Sequence, residues 1–164
     1  MRVVLLSDTH VGDKARVLPP LLLERISAEK PDLILHAGDV TDPAVLEELE
    51  KMAPTLAVRG NVDKLTLPEE KVVEVEGIRV LLLHGHQFFT LNAHFLALKA
   101  LEAGADVLVF GHTHRFYSDI VSLHGRRVWL VNPGSPTFPR YDDPSFAVLG
   151  VSGEGIDVKR IVLY

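Results

Sequence analysis

Five short polar clusters in this sequence carry the side chains of a metal site: Asp8-Thr9-His10, Gly38-Asp39, Gly60-Asn61, His84-Gly85-His86 and Gly111-His112-Thr113-His114. They supply two carboxylates (Asp8 and Asp39), the amide oxygen of Asn61, and four imidazoles (His10, His84, His112 and His114). Mixed oxygen and nitrogen donors with this many imidazoles favour a first-row transition ion such as Mn, Fe, Co, Ni or Zn. Mg and Ca prefer oxygen alone. Seven donors exceed what one ion takes. Two divalent ions sharing one bridging carboxylate fit the number, and such pairs, about 3.5–4 Å apart, serve displacement at phosphorus. Taken singly, each cluster is an ordinary turn or a hydrogen-bonded histidine; their joint placement is what counts.

That placement follows from the elements between them. Short apolar runs alternate with helical patterns through the first two thirds, which predicts an α/β architecture. Strands are expected at 3–6, 33–35 and 55–58. Helices are expected at 21–28, after Pro19-Pro20, and from Asp42-Pro43 to about Met52. A hairpin follows, with strands 72–75 and 78–83 around Gly77, then a helix 92–103 that Gly104 can cap, then a strand 107–110. The last third reads as strands at 116–123, 127–131, 146–151 and 157–163, supplying antiparallel sheet. Each polar cluster leaves a strand end. Where strands are mostly parallel, such ends share one edge of the sheet and their loops can meet in one crevice.

Composition narrows the function classes. The chain has 164 residues, 47% of them hydrophobic, enough for one substantial core and a single domain spanning 1–164. A formal charge of −5 gives no basic excess for nucleic-acid binding or for an acidic membrane surface. The longest apolar runs, such as Val80-Leu81-Leu82-Leu83, fall far short of the ~18 residues that suggest a membrane span. Without cysteine there is no disulfide, thiolate ligand or cysteine nucleophile, which fits a reducing interior. The N-terminus reaches Ser7 and Asp8 too soon for a signal-peptide core, so a cytoplasmic location is expected.

The five clusters, in this order, resemble the calcineurin-like metallophosphoesterase family, and in particular its small single-domain bacterial and archaeal phosphodiesterase branch. The family pattern D-x-H, G-D, G-N-H-[DE], H, G-H-x-H stands here as Asp8-Thr9-His10, Gly38-Asp39, Gly60-Asn61-Val62-Asp63, His84 and Gly111-His112-Thr113-His114. The later run Val131-Asn132-Pro133-Gly134-Ser135, with Arg140, extends the match. The resemblance implies a four-layer αββα sandwich, two mixed sheets face to face with helices outside. It also implies a binuclear centre, with Asp8, His10, Asp39 and His114 on one ion and Asp39, Asn61, His84 and His112 on the other. Manganese leads the candidate ions, with Ni, Fe, Co and Zn as alternatives. Asp39 would be the bridge. The implied activity is hydrolysis of small or activated phosphoesters, as a metal-dependent phosphoric diester hydrolase using a metal-bridging hydroxide. Asp39, Asn61 and His86 would be the catalytic side chains, with a small phosphoester as the partner and a homo-oligomer as an option.

One position departs from the pattern. Val62 replaces the histidine thought to protonate the leaving oxygen, and losing such an acid typically costs ~10²–10⁴ in rate. Asp63, deprived of that partner, is expected to be a solvated turn residue. His86 is expected either to reach a substrate phosphate or to hydrogen-bond behind the site, and His36 to be a core or supporting histidine. His94 and His124 should be solvated, and Asn132 and Arg140 could contact phosphate, orient a ligand or simply turn the chain. The helix stripes Leu21, Leu22, Ile26 and Phe95, Leu98, Leu101 should face the core. The alternative function is a non-catalytic protein-interaction scaffold of the same fold. One eukaryotic member serves as a trafficking-coat subunit, and His84-Gly85-His86-Gln87 resembles that protein too.

Overall fold

The computed structural model describes residues 1–164. In chain order the elements are β1 (Arg2–Leu6), α1 (Pro20–Ala28), β2 (Leu33–His36), α2 (Pro43–Glu50), β3 (Thr55–Ala57), β4 (Glu70–Val75) and β5 (Ile78–Leu83). They continue with α3 (Ala93–Glu102), β6 (Val107–Val109), β7 (Phe116–Leu123), β8 (Arg126–Pro133), β9 (Ser145–Ser152) and β10 (Gly155–Val162). One five-stranded sheet has the order β10-β9-β1-β2-β3 and the other β4-β5-β6-β8-β7. Both are mixed. β1, β2 and β3 run parallel, with Leu5 opposite Leu35 and Leu35 opposite Leu56. β5, β6 and β8 run parallel as well, so β8 joins the parallel core of its sheet while pairing antiparallel with β7. β7 with β8 and β9 with β10 supply the antiparallel pairing expected of the last third, and β8 adds a parallel pairing with β6.

Strand alternation builds the layers. Val4 and Leu6 of β1 join α1 and α2 in one core, whereas Val3 and Leu5 point into a second core between the sheets. β5 does the same on its side: Val80 and Leu82 face the other sheet, and Leu81 and Leu83 face α3. Three apolar layers thus separate four structural ones, the expected αββα sandwich.

The helices start where local chemistry stops the preceding chain. Pro20 and Pro43 occupy first-turn positions, where the missing N–H costs nothing. Asp42 caps α2 by accepting from Ala44 N at 2.9 Å, and Asn92 caps α3 by accepting from Phe95 N at 2.9 Å. Leu22 and Ile26 are the buried face of α1, as their spacing predicts. On α3 the most buried side chains are instead Leu96, Ala97 and Ala100; Phe95 and Leu101 only flank the core. The small alanines let α3 lie close to the sheet, which turns the predicted stripe partly outward. No helix is long and apolar enough to cross a membrane.

Candidate metal centre

The loops leaving β1, β2, β3, β5 and β6 meet at one edge of the sandwich. Backbone hydrogen bonds tie them: Asp8 N donates to Gly38 O at 2.9 Å, His10 N to Asp39 O at 3.0 Å, and Gly111 N to His84 O at 3.1 Å. Asp8, His10, Asp39, His112 and His114 all adopt positive φ, between 46° and 72°. Non-glycine residues avoid this region, and each costs of order 1 kcal/mol or more that the surroundings must hold in place. Glycine is required where the loops touch. A Cβ on Gly60 would lie 2.2 Å from Asp39 Oδ1, and one on Gly111 would lie 1.9 Å from Ser7 Oγ.

Asp8, His10, Asp39 and His114 are buried, and each offers one ligand atom within 4.8 Å of the other three. Their hydrogen bonds aim those atoms. His10 Nδ1 donates to Asp13 at 3.1 Å and His114 Nδ1 donates to the Phe138 carbonyl at 2.7 Å. Both rings thereby turn Nε2 inward, and the two nitrogens stand 3.2 Å apart. Two lone pairs facing one another at that distance repel, and either a proton on one ring or a shared cation relieves them. Asp8 Oδ2 accepts from Ser7 Oγ at 2.8 Å and His112 N at 3.0 Å, whereas Oδ1 is buried with no hydrogen-bond partner. That orphaned oxygen lies 3.4 Å from His114 Nε2, 3.7 Å from His84 Nε2 and 3.8 Å from His10 Nε2. Asp39 is arranged alike: Oδ1 accepts from Val62 N at 3.0 Å, and Oδ2 faces His84 Nε2 at 3.2 Å and His10 Nε2 at 3.4 Å. These four residues fit a single metal ion.

The titration of the groups states the same demand for positive charge. Burial pushes the Asp8 carboxyl up, but the adjacent His10, the nearby His84 and His114 and the Ser7 hydroxyl outweigh it and hold the group low. Asp39 is likewise held at about 2, where burial is overcome by His84, the Val62 N–H and His10. Burial disfavours a charged His10 or His84, yet Asp8 and Asp13 raise the first and Asp39 and Asp8 raise the second. His112 and His114 are pushed down, chiefly by burial, with His84 adding to the first and Arg140 and His10 to the second. Metal ligation needs deprotonated imidazole, so an ion must displace the proton of His10.

Three predicted ligands stand beside the cluster. His84 donates from Nδ1 to the Ala37 carbonyl at 2.7 Å, and its Nε2 lies 3.1 Å from Asn61 Oδ1. The His112 ring meets His84 edge-on at a centroid distance of 5.2 Å. These residues adjoin Asp39, but no second cluster of imidazole and carboxylate donors closes among them. The expectation of a binuclear centre is therefore corrected to one four-residue cluster. His84 turns Nε2 to Asn61 Oδ1 and Asp39 Oδ2, and His112 packs on it. His86, half-buried, stands beside His84 with ring centroids 5.4 Å apart, and its Nε2 faces Glu69 at 3.9 Å.

The residues that brace the cluster were the ones sequence reasoning missed. Asp63 is buried, not solvated, and accepts from Asp39 N at 2.9 Å, Gly60 N at 2.8 Å and Thr41 N at 2.8 Å. It clamps the loops after β2 and β3, including Thr41, a β-branched residue at φ 67°. Fully buried Asn132 donates to Gly111 O at 3.1 Å and Thr113 Oγ1 at 3.0 Å and accepts from Gly134 N at 3.0 Å, so it holds the His112–His114 loop. Ser135 Oγ donates to Asp8 O at 2.7 Å and Thr137 Oγ1 to Thr9 O at 2.6 Å. His36 is buried, accepts from Gly38 N at 3.1 Å and turns Nε2 to Thr9 Oγ1 at 3.0 Å; burial drives its pKa down to about 4. The signal for Asp63 was its place three residues after Gly60, the spacing of a side chain that turns back on its own loop.

Comparison with known proteins agrees with this architecture. The calcineurin-like phosphoesterase superfamily domain matches residues 1–154. A protein of Methanothermobacter thermautotrophicus named probable metallophosphoesterase is 40% identical over 165 residues, covering 98% of this chain and 92% of that one. Vps29 of Entamoeba histolytica, solved as a Zn²⁺ complex, superposes with a TM-score of 0.81 at 23% identity over 100% of both chains. Chaetomium thermophilum Vps29 does so with 0.80 at 24% identity, covering 98% of this chain and 95% of that one. At such identity the likeness is one of fold. The expected phosphoric diester hydrolase is withdrawn all the same, because the solved structures that match the chain end to end include several Vps29 proteins, and that likeness carries no catalytic assignment. The expected descriptors hydrolase, phosphodiesterase and binuclear are withdrawn with it. Val62 is 40% exposed, and its backbone N–H donates to Asp39 Oδ1.

Proposed function

The chain belongs to the calcineurin-like phosphoesterase superfamily, and from that premise we propose that it is a non-catalytic scaffold. In this reading it holds one structural metal ion and offers the rim around it to a protein partner. The observation that carries the reading is the number of buried donors in the cluster. Asp8, His10, Asp39 and His114 are four protein ligands, a full set for a tetrahedral ion, as in structural zinc sites. Catalytic zinc sites typically supply three and keep a fourth position open for water or substrate. A set of two imidazoles and two carboxylates suits Zn²⁺, the ion found in Vps29 of Entamoeba histolytica. When bound, the ion would satisfy Asp8 Oδ1 and cross-link the loops after β1, β2 and β6. Asn61, His84 and His112 would then support Asp39 from the side.

The rim carries an apolar side chain at position 62, where the family pattern has a histidine. Val62 donates its N–H to Asp39, and Phe138, 39% exposed, gives its carbonyl to His114. Phe89, in the loop after His86, and Tyr141, next to Arg140, are almost wholly exposed. In the proposed reading these exposed side chains are the ones a protein partner would cover. The test is a complex reconstituted from the zinc-loaded chain and a partner captured from cell extract. The double change Phe89→Ser and Tyr141→Ser should weaken it at least tenfold while zinc content stays at one equivalent. A complex indifferent to that change would refute the reading.

A further inference from the structure

Beside the metal loop, the start of α3 and the start of β7 enclose an open hollow of about 430 Å³, lined by Leu91, Asn92, Ala93, Phe110, Thr113, Arg115, Phe116 and Tyr117. Its lining is apolar apart from Thr113 and two free donor groups. Of the ten arginines, Arg2, Arg59, Arg79, Arg126 and Arg160 pair with a carboxylate, and the exposed Arg115 is one of the five that do not. No acidic residue lines the hollow, in a chain whose net charge is −5. Asn92 spends its side-chain oxygen on Phe95 N and leaves its NH₂ group unengaged. Tyr117 commits its hydroxyl to Asp119 at 3.1 Å, so it presents a ring, 6.3 Å from that of Phe110. Thr113 is occupied by Asn132 and by its own loop.

We propose that this hollow docks the carboxyl-terminal residue of a partner chain, an apolar side chain entering between Leu91, Phe110 and Tyr117 while the terminal carboxylate meets Arg115 and Asn92. This rests on the scaffold reading. An unpaired guanidinium offers a fork that matches a carboxylate in two parallel hydrogen bonds, which an amide end cannot accept with charge. The volume exceeds that of one aromatic side chain. The hollow is also open on one side, so a chain end that continues out over the rim suits it better than a free small acid, whose surface would stay largely wet.

The experiment is an amide NMR titration of the zinc-loaded protein with acetyl-Gly-Gly-Phe carrying a free carboxylate. The controls are the same peptide as its amide and acetyl-Gly-Gly-Gly as the acid. Shifts should concentrate at Ala93, Arg115, Phe116 and Tyr117 for the first peptide, with both controls at least tenfold weaker. Arg115→Gln should cost at least tenfold with the remaining spectrum unchanged, and Ala93→Trp should fill the hollow and abolish the shifts. Equal binding of acid and amide, an Arg115→Gln protein that binds as the parent does, or shifts confined to Asp8, Asp39 and 112–114 would overturn the proposal. Failure of the scaffold reading shows elsewhere, in a complex that ignores Phe89 and Tyr141 or in turnover of a phosphodiester, and neither result moves these shifts.

Discussion

Replacing Asp63 with alanine removes one acceptor group from three backbone N–H donors, those of Asp39, Thr41 and Gly60. Each buried N–H left without a partner costs ~1–3 kcal/mol, and water entering the vacated space recovers part of that, so the net loss should be about 3–5 kcal/mol. Asp63→Asn is the finer probe. Oδ2 serves Asp39 and Gly60 while Oδ1 serves Thr41, so an amide oxygen in the first position keeps two bonds and opposes an NH₂ to Thr41 N–H. That should cost about 1–2 kcal/mol. Urea unfolding of the metal-free protein, followed by the fluorescence of its one tryptophan, Trp129, reads both. For a chain of this length each kcal/mol moves Tm by roughly 2–4 °C. A loss under about 1 kcal/mol for Asp63→Ala, or equal losses for the two variants, would refute the clamp.

Gly111→Ala should abolish zinc binding, measured by calorimetry, because its Cβ would fall 1.9 Å from Ser7 Oγ and 2.8 Å from Asp8 Oδ2. Saturating zinc should raise Tm, since an ion at 100 times its Kd adds about 2.7 kcal/mol; an unshifted Tm would contradict a structural ion. Zinc affinity should fall as the pH is lowered through neutrality, because His10 holds its proton above the ordinary range and the ion must displace it. His36 gives the metal-free fold an acid limit. Its pKa of about 4 lies below the unfolded value of 6.5, so the unfolded chain takes up the proton first. The stability it contributes is whole above pH 6.5 and is lost as the pH falls towards 4, about 3 kcal/mol in all. His36→Gln should flatten that part of an acid-stability curve.

Much of this architecture was legible because the physics behind it is local. Alternation in Val3-Val4-Leu5-Leu6 and in Val80-Leu81-Leu82-Leu83 places each strand between two cores. Gly-Asp, Gly-Asn and Gly-His pairs after strands mark the turns that aim side chains inward. What stayed hidden depends on contacts distant in sequence. Nothing local says that Asn132 reaches Gly111 or that Ser135 reaches Asp8. Asp63 read as a solvated turn because its three partners come from two loops brought together by the sheet. Counting donors suggested two ions, since composition cannot show that only Asp8, His10, Asp39 and His114 close into one cluster of imidazole and carboxylate donors. The α3 stripe was offset for a similar reason: Ala97 and Ala100 face the sheet because small side chains permit close approach, a preference invisible to hydropathy alone.

Turnover of a phosphoester by the metal-loaded chain separates a scaffold from an enzyme most directly. Bis(4-nitrophenyl) phosphate has so good a leaving group that even a site without an acid at Val62 should hydrolyse it if a reactive water is held there. The zinc-loaded and manganese-loaded proteins are each compared with the free ion in the same buffer. A non-catalytic scaffold predicts nitrophenolate release no faster than the free ion gives, with Asp39→Asn indistinguishable from the parent. Saturable release well above that background, abolished by Asp39→Asn, would contradict it.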